Sequence, residues 1–484
     1  MKNNRREFLK QISLAGLSLT GASKLLDSTE STNRKPFQQS SHQRFNMHGY
    51  AAPALDTVRV GLVGIGSRGS GTVRRLAGVE GVEIKALCDI VPERVHQTIE
   101  SIHQFPQHSP DTYTEGPNAW KNMCERPDID LIYIATPWHL HAPQAVYSME
   151  HEKHVYMELP AAKTIEECWQ VVETSEQTRK HCLMMSGSCH SELSAVTLNM
   201  VRQGVFGEPV HGEGAYIHDR VSNRSRWERD EHDWFGYRPW RLDENVGRNG
   251  NLYPQHGLGP LAQMMDLNYG DQMDYLVSVS SDDFTMAPLM EELAGEDDYF
   301  KPYVGKEFRG NMNVTTIRTH KGRTLMLQHD ISSPRPNVRF NLISGTRGIC
   351  RHYPRPAQIA TSHDGWVSQE EFNSLVEQYT PAITRQFKEL VSQAADADRS
   401  QLRGYARVNE TDWRLIDCLR NGLPLEMDVY DAALWSAITP LSEWSVANRS
   451  NSVSVPDFTR GAWKTNERGM DINLQKGGGT TGLL

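Results

Sequence analysis

Val58-Arg59-Val60-Gly61-Leu62-Val63-Gly64-Ile65-Gly66-Ser67-Arg68-Gly69 joins an apolar, β-branched strand to a glycine-rich turn. The turn reads GxGxxG, a helical pattern follows from Thr72 to Leu76, and a second strand from Val82 to Leu87 leads to Asp89. Each part has a physical task. Gly64 permits the tight turn, Gly66 lets the backbone approach a pyrophosphate, and Gly69 lets helix and strand pack closely. The helix N-terminus presents unpaired N–H groups and a positive dipole to the phosphates. Asp89 is placed to accept both ribose hydroxyls of NAD, and its charge repels the extra phosphate of NADP, although Arg68 keeps NADP as a lesser alternative. Strand, turn, helix and acid together predict a dinucleotide-binding Rossmann unit.

Further βα units extend from this one. Asp130 to Thr136 reads as a buried parallel strand, with Pro137-Trp138-His139-Leu140-His141 at its C-terminal end, where open α/β sheets bind ligands. His154 to Met157 is a shorter strand, followed by Glu158-Leu159-Pro160 and a helical pattern from Ile165 to Arg179. Leu183 to Ser186 reads as the last strand of this unit.

Upstream, Met1 to Lys10 is basic, Ile12 to Ala22 is apolar, and Arg5-Arg6-Glu7-Phe8-Leu9-Lys10 resembles a twin-arginine (Tat) export signal. The apolar run is too short, and too rich in Gly, Ser and Thr, for a stable membrane span. Ser23 to Pro53 is rich in Ser, Asn, Gln and His and reads as a flexible linker. Export by Tat carries folded proteins, which suits an enzyme that loads its cofactor first. The whole chain has 484 residues, 51 Lys plus Arg against 60 Asp plus Glu, and a net charge of −9. That balance argues against nucleic-acid coating, which needs a basic face. Seven cysteines with no CxxC pair make neither a disulfide framework nor a zinc knuckle.

In the second half, Gly250 breaks regular structure ahead of Tyr253-Pro254-Gln255-His256, and Gly257-Leu258-Gly259-Pro260 reads as a loop leading into a helix. Tyr253 and His256, three apart on that loop, can face one cavity, and His suits proton shuttling near neutral pH. Tyr216 lies in Gly214-Ala215-Tyr216-Ile217-His218-Asp219, which alternates like a half-buried strand, so a core role and a site role weigh equally there. Trp138 has a plain alternative as a cap on the sheet edge. His218 to Trp240 is dense in mixed charge without ligand spacing, so it reads as a solvated loop and no metal site is expected.

These landmarks resemble the glucose–fructose oxidoreductase/inositol dehydrogenase/MocA family. A narrower resemblance, to glycoside hydrolase family 109, is carried by several blocks. They are Met157-Glu158, Glu166-Glu167-Cys168-Trp169, Leu198-Asn199-Met200-Val201-Arg202, Phe206-Gly207-Glu208, Trp240-Arg241 and Arg248 to Gly257, with Pro424 to Asp431 and Ser436 to Glu443 later. The resemblance implies an α/β fold, with an N-terminal Rossmann domain and a C-terminal α/β domain built on an open, largely antiparallel sheet. The expected partition is a Tat signal and flexible linker over 1–55 and the NAD-binding domain over 56–186. A substrate and oligomerisation domain follows over 187–465, then a flexible tail over 466–484.

It further implies an exported, periplasmic, NAD-dependent glycosidase whose default substrate is terminal α-N-acetylgalactosamine. Transient oxidation at sugar C3 would acidify C2–H, and elimination at C1, water addition and reduction would complete hydrolysis. By the same resemblance the cofactor meets Gly64, Gly66, Ser67, Arg68, Gly69, Asp89, Trp138, His139, Leu140, His141, Glu158, Leu159, Gly187 and Tyr253. The sugar meets Tyr216, Arg241, Tyr253, Pro254, Gln255, His256 and Asn337, with His256 and Tyr253 as the proton-transfer pair. Partners are the carbohydrate and the Tat machinery, with no nucleic acid and no stable membrane span, and the domain leaves room for a homo-oligomer. The chain departs from the family at Gly187, where an Asn is usual, at Asn337, where a Tyr follows Arg-Pro, and at Cys189-His190-Ser191. Those departures predict an altered sugar pocket. A periplasmic NAD(P)-dependent sugar oxidoreductase and a non-catalytic sugar binder share the same fold and stay open.

Overall fold

The computed structural model describes residues 40, 42–184, 186–220, 239–396 and 408–484. The Arg5–Arg6 signal and most of the charged His218–Trp240 loop lie outside them.

Six short strands form the first sheet: β1 (Val58–Val63), β2 (Val82–Cys88), β3 (Asp111–Tyr113), β4 (Leu131–Ile134), β5 (His154–Met157) and β6 (Cys182–Met184). All five pairings are parallel, in the order β3-β2-β1-β4-β5-β6. That is the doubly wound dinucleotide-binding order, with the switch point between β1 and β4. Helices on both faces explain why β4 and β5 are buried at every position rather than alternating. The expected helix after the glycine turn runs Ser67–Ala77, longer than the Thr72–Leu76 pattern showed, because its first turn is polar and glycine-rich. The helix Ile165–Thr178 starts on a Thr164/Glu167 capping box and stops where Arg179 takes a left-handed conformation, φ 53°.

The second sheet has eight strands: β7 (Pro209–Ile217), β8 (Met273–Ser280), β9 (Asn313–Thr319), β10 (Thr324–Asp330), β11 (Val338–Gly345), β12 (Ile349–Arg351), β13 (Gln358–Ala360) and β14 (Val453–Ser454). Their order is β13-β12-β11-β7-β10-β9-β8-β14, antiparallel throughout except for the parallel β7–β10 pair. Along β9 the buried Asn313, Thr315, Ile317 and Thr319 alternate with Thr316 and Arg318, as in a sheet covered on one face. The helix Gln255–Met264 packs on β7 and β11, and the helix Val429–Ala447 packs on β8, β6 and the Ile165–Thr178 helix. The second of these helices therefore ties the two sheets together. No helix among the described residues is long and apolar enough to cross a membrane.

Two expected flexible segments are held down. In the tail, Met470, Ile472 and Thr481 are buried, and the Asp417 carboxylate accepts from the N–H groups of Gly479, Thr480 and Thr481 at 2.7, 3.1 and 3.1 Å. Leu484 N–H reaches Gly78 O at 2.9 Å. The polar, glycine-rich composition that suggested disorder instead serves the turns at Gly477, Gly478 and Gly479, all at positive φ. The linker is anchored from His42 onward. Arg44 N–H donates to Glu176 at 3.0 Å, Met47 N–H to the Tyr430 hydroxyl at 3.1 Å, and His48 pairs with Asp428 at 3.1 Å.

Candidate active site

The glycine turn is shaped by close approach. Gly64 sits at φ 87°, and a side chain there would come within 2.7 Å of the Ala135 carbonyl. A Cβ at Gly69 would fall on the Gly64 carbonyl oxygen, whereas one at Gly66 would meet nothing within 4 Å. The space above Gly66 is therefore open, and no side chain caps the helix that begins at Ser67. Such a cradle fits a pyrophosphate. Asp89, at the end of β2, accepts from Ile65 N–H at 2.7 Å and Val91 N–H at 2.9 Å, with Arg94 at 3.5 Å. A carboxylate offers about four acceptor positions, so capacity remains for ribose hydroxyls while the acid braces the turn.

At the other end of the cleft, Glu158 follows β5 and accepts from the Tyr133 hydroxyl at 2.8 Å. Tyr133 is linked through Thr72 at 3.1 Å and Arg75 at 2.7 Å to buried Asp412 at 2.5 Å. This polar chain fixes Glu158. Leu159 is buried beside it, His139 is exposed and Leu140 half-buried. His141 turns inward, with its ring spanning the Pro160 and Thr136 carbonyl oxygens at 2.7 Å each. It braces the loop, so it contributes to the cofactor cleft through backbone position. Gly187 lies in an exposed turn, and a Cβ there would meet only Thr411 Oγ1 at 4.0 Å. The room for the family's larger residue is present.

The aromatic cluster lies where the two sheets meet. Trp138 opens the helix Trp138–Glu150 and stacks on Tyr253, with centroids 5.4 Å apart and planes at 18°. This contact sets aside the sheet-cap reading. Tyr253 lies edge-on to Tyr216 at 4.7 Å and to His256 at 5.1 Å, and the rings of Tyr216 and His256 stack at 5.2 Å. His256 is not in a loop ahead of the helix. Pro254 is the N-cap, and Gln255–Met264 is helical despite Gly257, Gly259 and Pro260. Those glycines serve contact: a Cβ at Gly257 would overlap the Ala215 nitrogen, and one at Gly214 would stand 2.6 Å from Gly257 O. Gln255 is fully buried, and its side-chain amide has no hydrogen-bond partner among the described residues.

Arginines surround this cluster. Arg220 donates to the Tyr216 hydroxyl at 2.8 Å, Arg339 lies 4.1 Å over the Tyr216 ring, and Arg241 stacks 5.4 Å over Trp138 and 4.4 Å over Trp240. Arg68 reaches in from the glycine turn, its charge favoured first by Glu158 and then by Tyr253. Burial opposes ionisation of Tyr216, but Arg220, Arg339 and Arg241 outweigh it and bring this phenol below its ordinary value. Burial pushes Tyr253 up to about 12. His256 falls well below an ordinary imidazole, first through burial and then through Arg339, Arg68, Arg220 and Arg241. Ser188 Oγ sits 3.3 Å from its Nδ1. The site thus offers one phenol whose ionisation is favoured relative to an ordinary tyrosine, one whose ionisation is opposed, and an imidazole of depressed basicity.

Asn337 is exposed, while Arg339 enters the cluster. Arg339 and Ser188 are absent from the sequence reading, and Arg220 falls in the charged stretch expected to be a solvated loop, whereas it donates to Tyr216. Strand periodicity was the available signal for Arg339, since side chains two apart share a face. Among the described residues no His/Cys/Asp/Glu group is arranged to hold a metal.

Residues 58–186 match the model for the oxidoreductase family with an NAD-binding Rossmann fold, and residues 192–465 match the glycosyl hydrolase 109 C-terminal domain. An alpha-N-acetylgalactosaminidase of Bacteroides fragilis is 45% identical over 419 residues, covering 86% of this chain and 95% of that protein. A glycosyl hydrolase family 109 protein of Shewanella pealeana is 40% identical over 468 residues, 96% of this chain and 98% of its own. Among solved structures, levoglucosan dehydrogenase in complex with NADH and levoglucosan superposes with a TM-score of 0.60 at 18% identity. It covers 83% of this chain and 100% of its own. With an NAD-binding Rossmann domain joined to that C-terminal domain, and relatives at this identity along nearly the whole length, the chain belongs to glycoside hydrolase family 109.

Proposed function

We propose that this enzyme is exported and cleaves terminal α-N-acetylgalactosaminides by a redox-assisted elimination and addition, with Tyr216 as the proton acceptor. One observation supports this most: Tyr216 Oη lies 2.8 Å from Arg220 under a second guanidinium, beside a dinucleotide cradle. Glycosidases that pass through an oxocarbenium ion use a pair of carboxylates. Here the cluster offers two phenols and an imidazole, and Glu158 is engaged by Tyr133.

Gly64 to Gly69 and Asp89 would hold the dinucleotide's phosphates and ribose, with Glu158 and Trp138 toward its nicotinamide. Bound there, NAD supplies reversible hydride acceptance, which acidifies the C–H next to the oxidised sugar carbon. Tyr216 Oη takes the C2 proton as a phenolate, and the C2–H electron pair moves into an enolate that expels the C1 substituent. Arg220, Arg241 and Arg339 stabilise the negative charge as it passes from phenolate to enolate. Tyr253 keeps its proton and is suited to donate toward the leaving oxygen. The expected proton-transfer pair is Tyr253 and His256, with neither role assigned; the acceptor role proposed here goes to Tyr216, because the depressed basicity of His256 makes it a poor base. The name of the Bacteroides fragilis relative supports the substrate, and the N-terminal Arg5–Arg6 segment supports export.

Turnover of an aryl α-N-acetylgalactosaminide in deuterated water tests the route. Deuterium at C2 of the released sugar is expected. Cleavage without it would falsify elimination, and net accumulation of NADH in place of cleavage would make the enzyme a dehydrogenase.

A further inference from the structure

A cavity of about 350 Å³ opens where the helix Glu192–Arg202 turns into β7, against the β11–β12 turn and the C-terminal segment. It shares no residue with the aromatic cluster. Arg202, Arg323, Arg347 and Arg468 line it, together with the carboxylates of Glu208 and Asp266. Two guanidinium charges are matched. Arg468 takes Asp266 through Nε and Nη2 at 2.9 and 3.0 Å, and Arg323 reaches Glu208 at 3.2 Å and buried Asp271 at 3.6 Å.

The other two hydrogen-bond only to backbone among the described residues, while Asp266 and Glu426 favour the Arg202 charge without a hydrogen bond. Arg202 Nη1 donates to Met470 O at 2.5 Å, and Arg347 Nη2 donates to Gly204 O at 2.6 Å. The remaining edge of Arg202, Nε and Nη2, is buried with no acceptor among the described residues. That is the edge with which Arg59, Arg126, Arg248 and Arg468 each hold a carboxylate elsewhere in this fold. A buried guanidinium edge without an acceptor is costly, and burial accordingly weakens Arg202's hold on its proton.

We propose that this cavity binds a tetrahedral oxyanion, a sulfate or phosphate group, borne on a sugar ester or free in solution. Four guanidinium groups face three carboxylates, which leaves the wall net positive, and the fork geometry of arginine suits an oxyanion's paired oxygens. Thr346, in the cavity wall, adds a hydroxyl. Among the described residues no aromatic ring lines the cavity, so charge rather than ring stacking supplies recognition, and the volume beyond an oxyanion admits one sugar ring. Because the site is separate, it stands whether or not the proposed glycosidase chemistry is correct.

Calorimetric titration of the NAD-saturated full chain tests this, since bound NAD blocks oxyanion binding in the glycine cradle. The probes are sodium sulfate, sodium phosphate, N-acetylgalactosamine 6-sulfate and neutral N-acetylgalactosamine at constant ionic strength. Saturable binding of the oxyanions is expected, weakened at least tenfold in Arg347→Ala and in Arg202→Gln. Arg347 is exposed, so its variant keeps the fold, which retained NAD binding verifies. Tighter binding of the sulfated sugar than of sulfate identifies an ester ligand, and equal binding identifies the free ion. Absence of saturable oxyanion binding, or affinity left within twofold by both variants, overturns the site.

Discussion

Gly257 lies so close to Ala215 that a Cβ on the glycine would overlap the alanine's backbone nitrogen. One residue along each element, His256 and Tyr216 stack at 5.2 Å with their planes 15° apart. The glycine is therefore what lets a helix from one part of the chain and a strand from another bring His256 and Tyr216 together. Gly257→Ala should destabilise the fold by about 1–3 kcal/mol through overpacking and lower cleavage further than that loss explains. Urea unfolding beside kinetics on the folded fraction measures both, with NAD affinity unchanged.

Asp89 braces Ile65 and is proposed to hold the ribose. Asp89→Ala should weaken NAD binding by about 1.5–3 kcal/mol, the worth of charge-assisted hydrogen bonds. That corresponds to roughly 10- to 150-fold in Kd, read by quenching of tryptophan fluorescence. Unaltered affinity would place the ribose elsewhere.

The arginines around Tyr216 give cleavage a definite pH response. If ionised Tyr216 is the acceptor, activity rises with pH through a midpoint below that of an ordinary phenol, because Arg220, Arg339 and Arg241 favour the phenolate. Removing a positive charge in Arg220→Met should move that limb to higher pH. Tyr216→Phe should abolish it, and the tyrosinate absorbance of the wild-type protein should titrate at the same midpoint. On the alkaline side Tyr253 ionises only near 12, so no second limb is expected below that.

Specificity divides between neighbours on one strand approach. Asn337 is exposed, and Asn337→Ala should alter kcat/KM less than about twofold, as surface changes do. Arg339→Ala removes the guanidinium 4.1 Å over Tyr216 and should cost about tenfold or more, equivalent to ~1.4 kcal/mol. A panel of aryl α- and β-glycosides differing at C2 and C4 separates lost activity from changed preference. Exclusive, efficient cleavage of the α-N-acetylgalactosaminide would remove the altered-pocket expectation.

Glu410 is a stability probe. Burial first, with Glu426 adding, raises its carboxyl from an ordinary 4.5 to about 8. Between those values the folded chain holds a proton that the unfolded chain has lost, so stability falls as pH rises through the window. Glu410→Gln should therefore raise Tm more at pH 8 than at pH 5. An equal gain at both would show that the carboxyl is ionised in the fold.

The first sheet and the cofactor cradle were legible because their signals are local. A β-branched run, GxGxxG and an acid at the end of the next strand each act within a few residues of where they are read, and the fold adds close backbone contacts at Gly64 and Gly69. Tyr253 and His256 were legible for the same reason, being less than one helical turn apart. The sequence misjudged the glycine-rich tail and the polar linker from His42 onward, because composition reports solvation and takes no account of acceptors such as Asp417 and Glu176 that lie far away in the chain. Arg68 and Arg241 were expected from the sequence, whereas the convergence of all four arginines was decided by tertiary structure. Arg68, Arg220, Arg241 and Arg339 come from a glycine turn, a strand end, a short helix and a second strand. No spacing in the chain encodes their convergence; only the packing of Gly257 against Ala215, which sets the helix on the sheet, makes their charges act on one phenol.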